Sequence, residues 1–171
     1  MIRNFGAIAL SISCLLLAQS CVALQVQTPK AQASLPNPVQ VKAKMTSFSL
    51  SSQKDKNRVL LVFAPNAQNS DYQKQMQFFA REETAFRDRD LVLVQVLAKG
   101  ESQVNGQAID QASALKLRSS FRVGEEDFRV ILVGKDGGEK RSDTTPVAPK
   151  AIFSEIDAMP MRRQEMRDRK S

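Results

Sequence analysis

Three apolar runs constrain this chain more than any other feature. Arg58-Val59-Leu60-Leu61-Val62-Phe63-Ala64 and Leu91-Val92-Leu93-Val94-Gln95-Val96-Leu97 are almost unbroken, and residues 128–133 (Phe-Arg-Val-Ile-Leu-Val) form the third. A strand wetted on one face alternates apolar with polar residues, whereas one covered on both faces reads as a continuous apolar stretch. The chain therefore needs a sheet with packed layers on both sides. That requirement rules out a bundle of helices and a one-layer antiparallel meander.

The segments between the runs supply the covering layers. Pro65-Asn66-Ala67-Gln68-Asn69 breaks the first run; Asn69 or Ser70 can then N-cap a helix, and Asp71 suits its positive end. Tyr72, Met76, Phe79 and Phe86 fall on one side at helical spacing, which predicts a single helix running to Phe86. A polar stretch with Gly100 and Gly106 leads to a second helix over residues 110–121, with Ala112 and Leu115 inward. Lys135-Asp136-Gly137-Gly138 is a hairpin turn, with residues 139–142 returning as a short antiparallel strand. Pro149 opens a last helix whose inner side is Ile152, Phe153, Ile156 and Met159, stopped by Pro160. The order β-α-β-α-β-β-α is an α/β, thioredoxin-like arrangement, a central mixed sheet flanked by helices and lacking a CxxC motif.

The amino-terminal end has the pattern of an export signal. Arg3 gives a positive start, and residues 5–18 carry no charge over a length that suits a signal peptide and is short for a membrane span. Two processing readings stay open: a signal peptide over residues 1–23, or a lipoprotein signal over 1–20 that leaves Cys21 as the acylated residue. Cys14 and Cys21 are the only cysteines, so the remainder of the chain has no thiol, and there is no His anywhere. Imidazole zinc sites, Ser-His-Asp triads and iron–sulfur clusters are thereby excluded. Residues 24–56, with Pro36 and Pro38, are expected to form a flexible linker with a short strand or helix near residues 45–50, residues 57–160 the domain, and residues 161–171 a loose basic tail.

Residues 58–65, Arg89-Asp90-Leu91-Val92-Leu93-Val94, residues 128–138 and Ile156-Asp157-Ala158-Met159-Pro160-Met161-Arg162-Arg163-Gln164-Glu165-Met166 resemble the P-DUDES family. These are domains of unknown function in exported bacterial proteins, with relatives in animal extracellular-matrix and sushi-repeat proteins. The resemblance implies a thioredoxin-like fold and attaches no reaction to it. A working thioredoxin or peroxiredoxin holds a thiolate at the start of the helix after its first strand, where the helix dipole lowers the thiol pKa. Residues 65–70 contain no Cys. The fold's usual cis-proline before the third strand would fall near Phe128, and a non-proline cis bond costs about 3 kcal/mol, so that feature is not expected either.

Two places are candidates for binding, and no residue is assigned a catalytic or metal-ligating role. Asn66, Gln68, Asn69 and Ser70 surround a helix start whose N–H groups suit an anion, although Asp71 opposes one. Arg162, Arg163 and Arg167 belong to the densest basic cluster of a chain whose net charge is +7. Glu83 projects toward the Met76–Phe79 face and is expected to pair with Arg87 four residues on. Met159, Met161 and Met166 form the one thioether cluster, and Met159 also fits the core stripe. Basic residues interleaved with aromatics are missing, which argues against nucleic acid. The expected protein is an exported, periplasmic or extracellular, non-catalytic domain that needs no cofactor. It would bind an anionic envelope component or a protein partner, and would meet the membrane only through its signal or a lipid anchor. The competing expectation is a peroxiredoxin- or thioredoxin-related oxidoreductase that acts with a Cys-bearing partner.

Overall fold

The computed structural model describes residues 45–169. The export signal, Cys21, the 24–44 part of the linker and residues 170–171 lie outside the described residues.

The first apolar run forms β1 (Arg58–Ala64), buried at every position, and the second forms β2 (Leu91–Leu97), parallel to it. The third forms β5 (Arg129–Val133), antiparallel to β1, and β6 (Glu139–Asp143) returns beside it. Two short strands, β3 (Gln103–Val104) and β4 (Gln107–Ala108), extend the other edge, giving the order β4-β3-β2-β1-β5-β6. Their hairpin turns at Asn105-Gly106, both with positive φ, which is the geometry that Asn-Gly favours. Successive side chains of β1 point to opposite faces. Leu60, Val62 and Ala64 meet α1 (Ser70–Phe79), α2 (Glu83–Asp88) and α4 (Pro149–Ala158), while Val59, Leu61 and Phe63 meet α3 (Gln111–Phe121). α5 (Pro160–Asp168) closes the chain.

Four expectations are corrected. The helix after β1 is not continuous: the chain turns at residues 80–82, and the turn lets Phe86 set its ring edge-on to Phe79 at 5.3 Å and to Phe153 at 5.8 Å. α3 is rotated from its expected setting. Ser113, Ala114, Leu117 and Arg118 face inward and Leu115 is 56 % exposed, because Asp110 caps the Ser113 N–H at 2.7 Å and the Arg118 guanidinium has carbonyls to bind inside. The linker does not extend to residue 56. The Thr46 N–H donates to the Ala108 carbonyl at 3.0 Å, the Asp110 N–H donates to the Thr46 carbonyl at 3.1 Å, and Phe48 is buried against the α3 side of the sheet. The tail does not fray at once, since residues 160–168 are helical and Arg162 is 3 % exposed.

One buried amide ties the helical layer to the chain before α4. Gln75 on α1 donates to the Val147 carbonyl at 2.9 Å and accepts from the Val147 N–H at 2.7 Å, so it pairs with that residue as a strand neighbour would.

Candidate functional site

β1 and β2 end, and β5 begins, at one edge of the sheet, where α/β folds of this type usually bind ligands. α1 starts there after Pro65. Its N-cap is Asn69, whose Oδ1 accepts from the Tyr72 N–H at 3.0 Å, and Asn66 Oδ1 accepts from the Gln68 N–H at 2.9 Å. Two of the four side chains expected to greet an anion are thus bound to their own backbone, while Gln68 and Ser70 are exposed. No nucleophilic thiol stands at this corner, and Phe128 sits buried just before β5 beside it.

The strongest polar feature of this edge is Arg118, which no sequence motif marked. Its guanidinium reaches through the α3–sheet layer to three backbone carbonyls: Ala64 at the end of β1, Val96 near the end of β2 at 3.1 Å, and Gly124 at 2.6 Å. It also lies 5.7 Å from the centre of the Phe63 ring. Arg118 is 5 % exposed, and burial lowers its pKa from the ordinary arginine value against the pull of Glu125 and Asp127. A cavity of about 380 Å³ opens next to it. The available sequence signal was the α3 pattern itself, since positions 113, 114, 117 and 118 form one helical stripe only if an arginine is allowed inside.

The opposite edge holds the other buried cations. Arg58 is 1 % exposed and makes a two-pronged contact with Glu165 on α5, at 3.1 and 3.2 Å. Lys135 joins Glu165 and Asp90, each at 2.8 Å. Arg162 is turned inward to Asp88 and Asp157, with its Nη1 donating to the Asp88 carbonyl at 2.7 Å. Burial tends to raise the Glu165 pKa, but hydrogen bonds from Lys135 and Arg58 outweigh it and hold the carboxyl below its ordinary value. The three arginines of the expected cluster therefore divide. Arg162 is part of this lock; Arg163 is exposed; Arg167 is exposed and its guanidinium bonds the Gln164 side chain.

A larger cavity, about 520 Å³, lies between α1–α2 and the β2–β3 edge. Met76, Phe79 and Phe86 line it, with Glu83 and Arg87 among its polar groups. The expected Glu83–Arg87 pair does not form; Arg87 donates instead to Thr84 Oγ1 at 3.4 Å. Gln95, a polar lining residue on β2, accepts a hydrogen bond from the Tyr72 hydroxyl at 2.5 Å. Met159 packs on the core beside α4, and Met161 is exposed. Among the described residues no cluster of three carboxylate, Cys or His side chains is arranged to hold a metal.

The sheet order, the antiparallel β5–β6 hairpin and the thiol-free helix start define the protein's class as a thioredoxin-fold domain without the fold's redox cysteine. Solved structures agree on the fold. Reduced 2-Cys peroxiredoxin of Plasmodium vivax superimposes with a TM-score of 0.51 at 17 % identity, over 67 % of this chain and 84 % of that one. Thioredoxin peroxidase I of Plasmodium yoelii gives 0.51 at 18 % identity, over 68 % and 80 %. The chain belongs to the DUF4174 family, a domain of unknown function whose model matches residues 49–165. It is 29 % identical over 115 residues to the rat sushi repeat-containing protein SRPX, covering 66 % of this chain and 25 % of the relative. It is 28 % identical over 127 residues to zebrafish coiled-coil domain-containing protein 80, covering 65 % and 15 %. The match thus spans a quarter or less of these curated relatives. The matched region begins at residue 49, inside the segment expected to be linker, in line with the packing of Phe48.

Proposed function

We propose that this chain is an exported, non-catalytic thioredoxin-like domain of the P-DUDES type that works by binding an anionic ligand or a protein partner at the cell envelope. The observation that carries the reading is the corner between β1 and α1. Where the fold's redox chemistry requires a thiolate, Asn66 and Asn69 cap their own backbone and no sulfur is present. The leader pattern of residues 1–23 supports export, and the net charge of +7 supports an acidic counterpart. With Arg162 held inside, the basic contribution of α5 to such a surface comes from its outer residues, Arg163 and Arg167.

The test is a pair of turnover assays, insulin reduction and hydrogen peroxide consumption, on the chain from Leu24 onward. The expected result is no rate above an otherwise identical mixture lacking this chain, with or without added thioredoxin. Turnover that appears only with a cysteine-bearing partner would replace this reading with that of a partner-dependent oxidoreductase.

A further inference from the structure

We propose that the cavity beside Arg118 binds a small zwitterion with an aliphatic body, an apolar α-amino acid. The inference goes beyond the function above and stands or falls independently of export. Arg118 carries five N–H donors, and three of them meet carbonyl oxygens. Its Nε has no partner, and among the described residues no carboxylate lies within the 4.0 Å of an ion pair. Neutral carbonyls satisfy hydrogen bonds, and Glu125 and Asp127 act on the positive charge only from beyond ion-pair distance, whereas a buried charge is ordinarily paired directly. Arg58 and Arg162, equally buried in this same molecule, each have carboxylates.

What surrounds Arg118 narrows the class of ligand. The cavity of about 380 Å³ falls near the lower end of the roughly 300–1,000 Å³ typical of small-molecule sites. Leu97, Ile109 and Ala114 give it an aliphatic wall. Met45 and Leu115, each 56 % exposed, are two of the three exposed large apolar residues among those described, and both line this cavity. Glu101 and Glu125 are exposed lining residues, and neither takes part in an ion pair; Glu101 accepts only from the Gln103 amide at 3.1 Å. A simple anion would answer Arg118 but meet two acids on entry, and a simple cation would face the buried guanidinium. A molecule that carries a carboxylate and an ammonium on one carbon, with an aliphatic side chain beside them, matches all three features.

Titration of the full chain with L-leucine, followed through the Met45 and Leu115 methyl signals, tests this directly. Both signals should move on addition of leucine at millimolar concentration and stay put with glycine. Leucinamide, which lacks the carboxylate, and 4-methylpentanoate, which lacks the ammonium, should each bind about tenfold more weakly, since each loses a charge-assisted contact. The double variant Glu101→Gln/Glu125→Gln, confined to exposed side chains, should weaken leucine and spare 4-methylpentanoate. Unmoved methyl signals with leucine would overturn the proposal. So would equal binding of the three probes, or a double variant that holds leucine as tightly as the parent.

Discussion

The two edges of the central sheet treat a buried arginine in opposite ways. At the amino end of β1, Arg58 is enclosed by Glu165 while Lys135 and Arg162 bring Asp90, Asp88 and Asp157 into the same network. At the carboxyl end, Arg118 binds only backbone oxygens and borders an open cavity. The first arrangement is closed on itself, with charges of both signs provided by the chain. The second leaves a charge for something else to answer. The two settings push their arginines in opposite directions: burial lowers the Arg118 pKa, whereas in the network burial is overcome by Asp157 and Asp88, which raise that of Arg162.

Removing one partner from the closed edge should have the largest effect. Glu165→Ala strips Arg58 and Lys135 of a shared carboxylate and should cost about 3–5 kcal/mol in urea unfolding. Pairing it with Arg58→Met should recover much of that loss, because the stranded charge goes too. Arg118→Met should cost less, about 2 kcal/mol: three carbonyls lose a charged donor, but an uncompensated charge leaves with it. A loss as large as that of Glu165→Ala would mean the two edges are alike after all.

Acid should separate them further. The Glu165 carboxyl is held below its ordinary 4.5, so its contribution is complete above that value and declines as pH falls through the lower folded one. Urea midpoints should therefore drop below pH 4.5, and Glu165→Gln should flatten part of the drop, while Arg118→Met should leave the slope unchanged. The smallest effect belongs to Lys99→Ala at the carboxyl edge. Its 3.4 Å contact with Glu126 lies between two largely exposed side chains and should shift stability by less than about 0.5 kcal/mol.

What could be read from the sequence was the part held by apolar pattern. β1, β2, β5, the α4 stripe of Ile152 and Ile156, and the turn at Gly137 all follow from local signals. What could not be read was held by polar contacts across long separations. Arg58 and Glu165 lie 107 positions apart, Gln75 and Val147 72, and Arg118 and Ala64 54. An arginine with distant partners looks the same in sequence as one in water, so nothing marks Arg118, and the expected setting of α3 has Leu115 inward instead. The same blindness made the α5 arginines a single outward cluster. The β3–β4 hairpin carried the right Asn105-Gly106 signal, but its two-residue strands are too short to show an alternation. At the candidate site, the capping role of Asn69 was visible, and the absence of a thiol needed only a reading of residues 65–70.

The lock on α5 also has a mechanical side. The one residue that α5 buries is Arg162, so this helix is fastened by ion pairs more than by apolar contact. A pull on the carboxyl terminus meets those charges before it reaches Ile156 or any strand of the sheet. Ion pairs yield over a short extension and weaken as salt screens them. Under load the helix should therefore peel first, at a force set by ionic strength, and leave the sheet to resist alone.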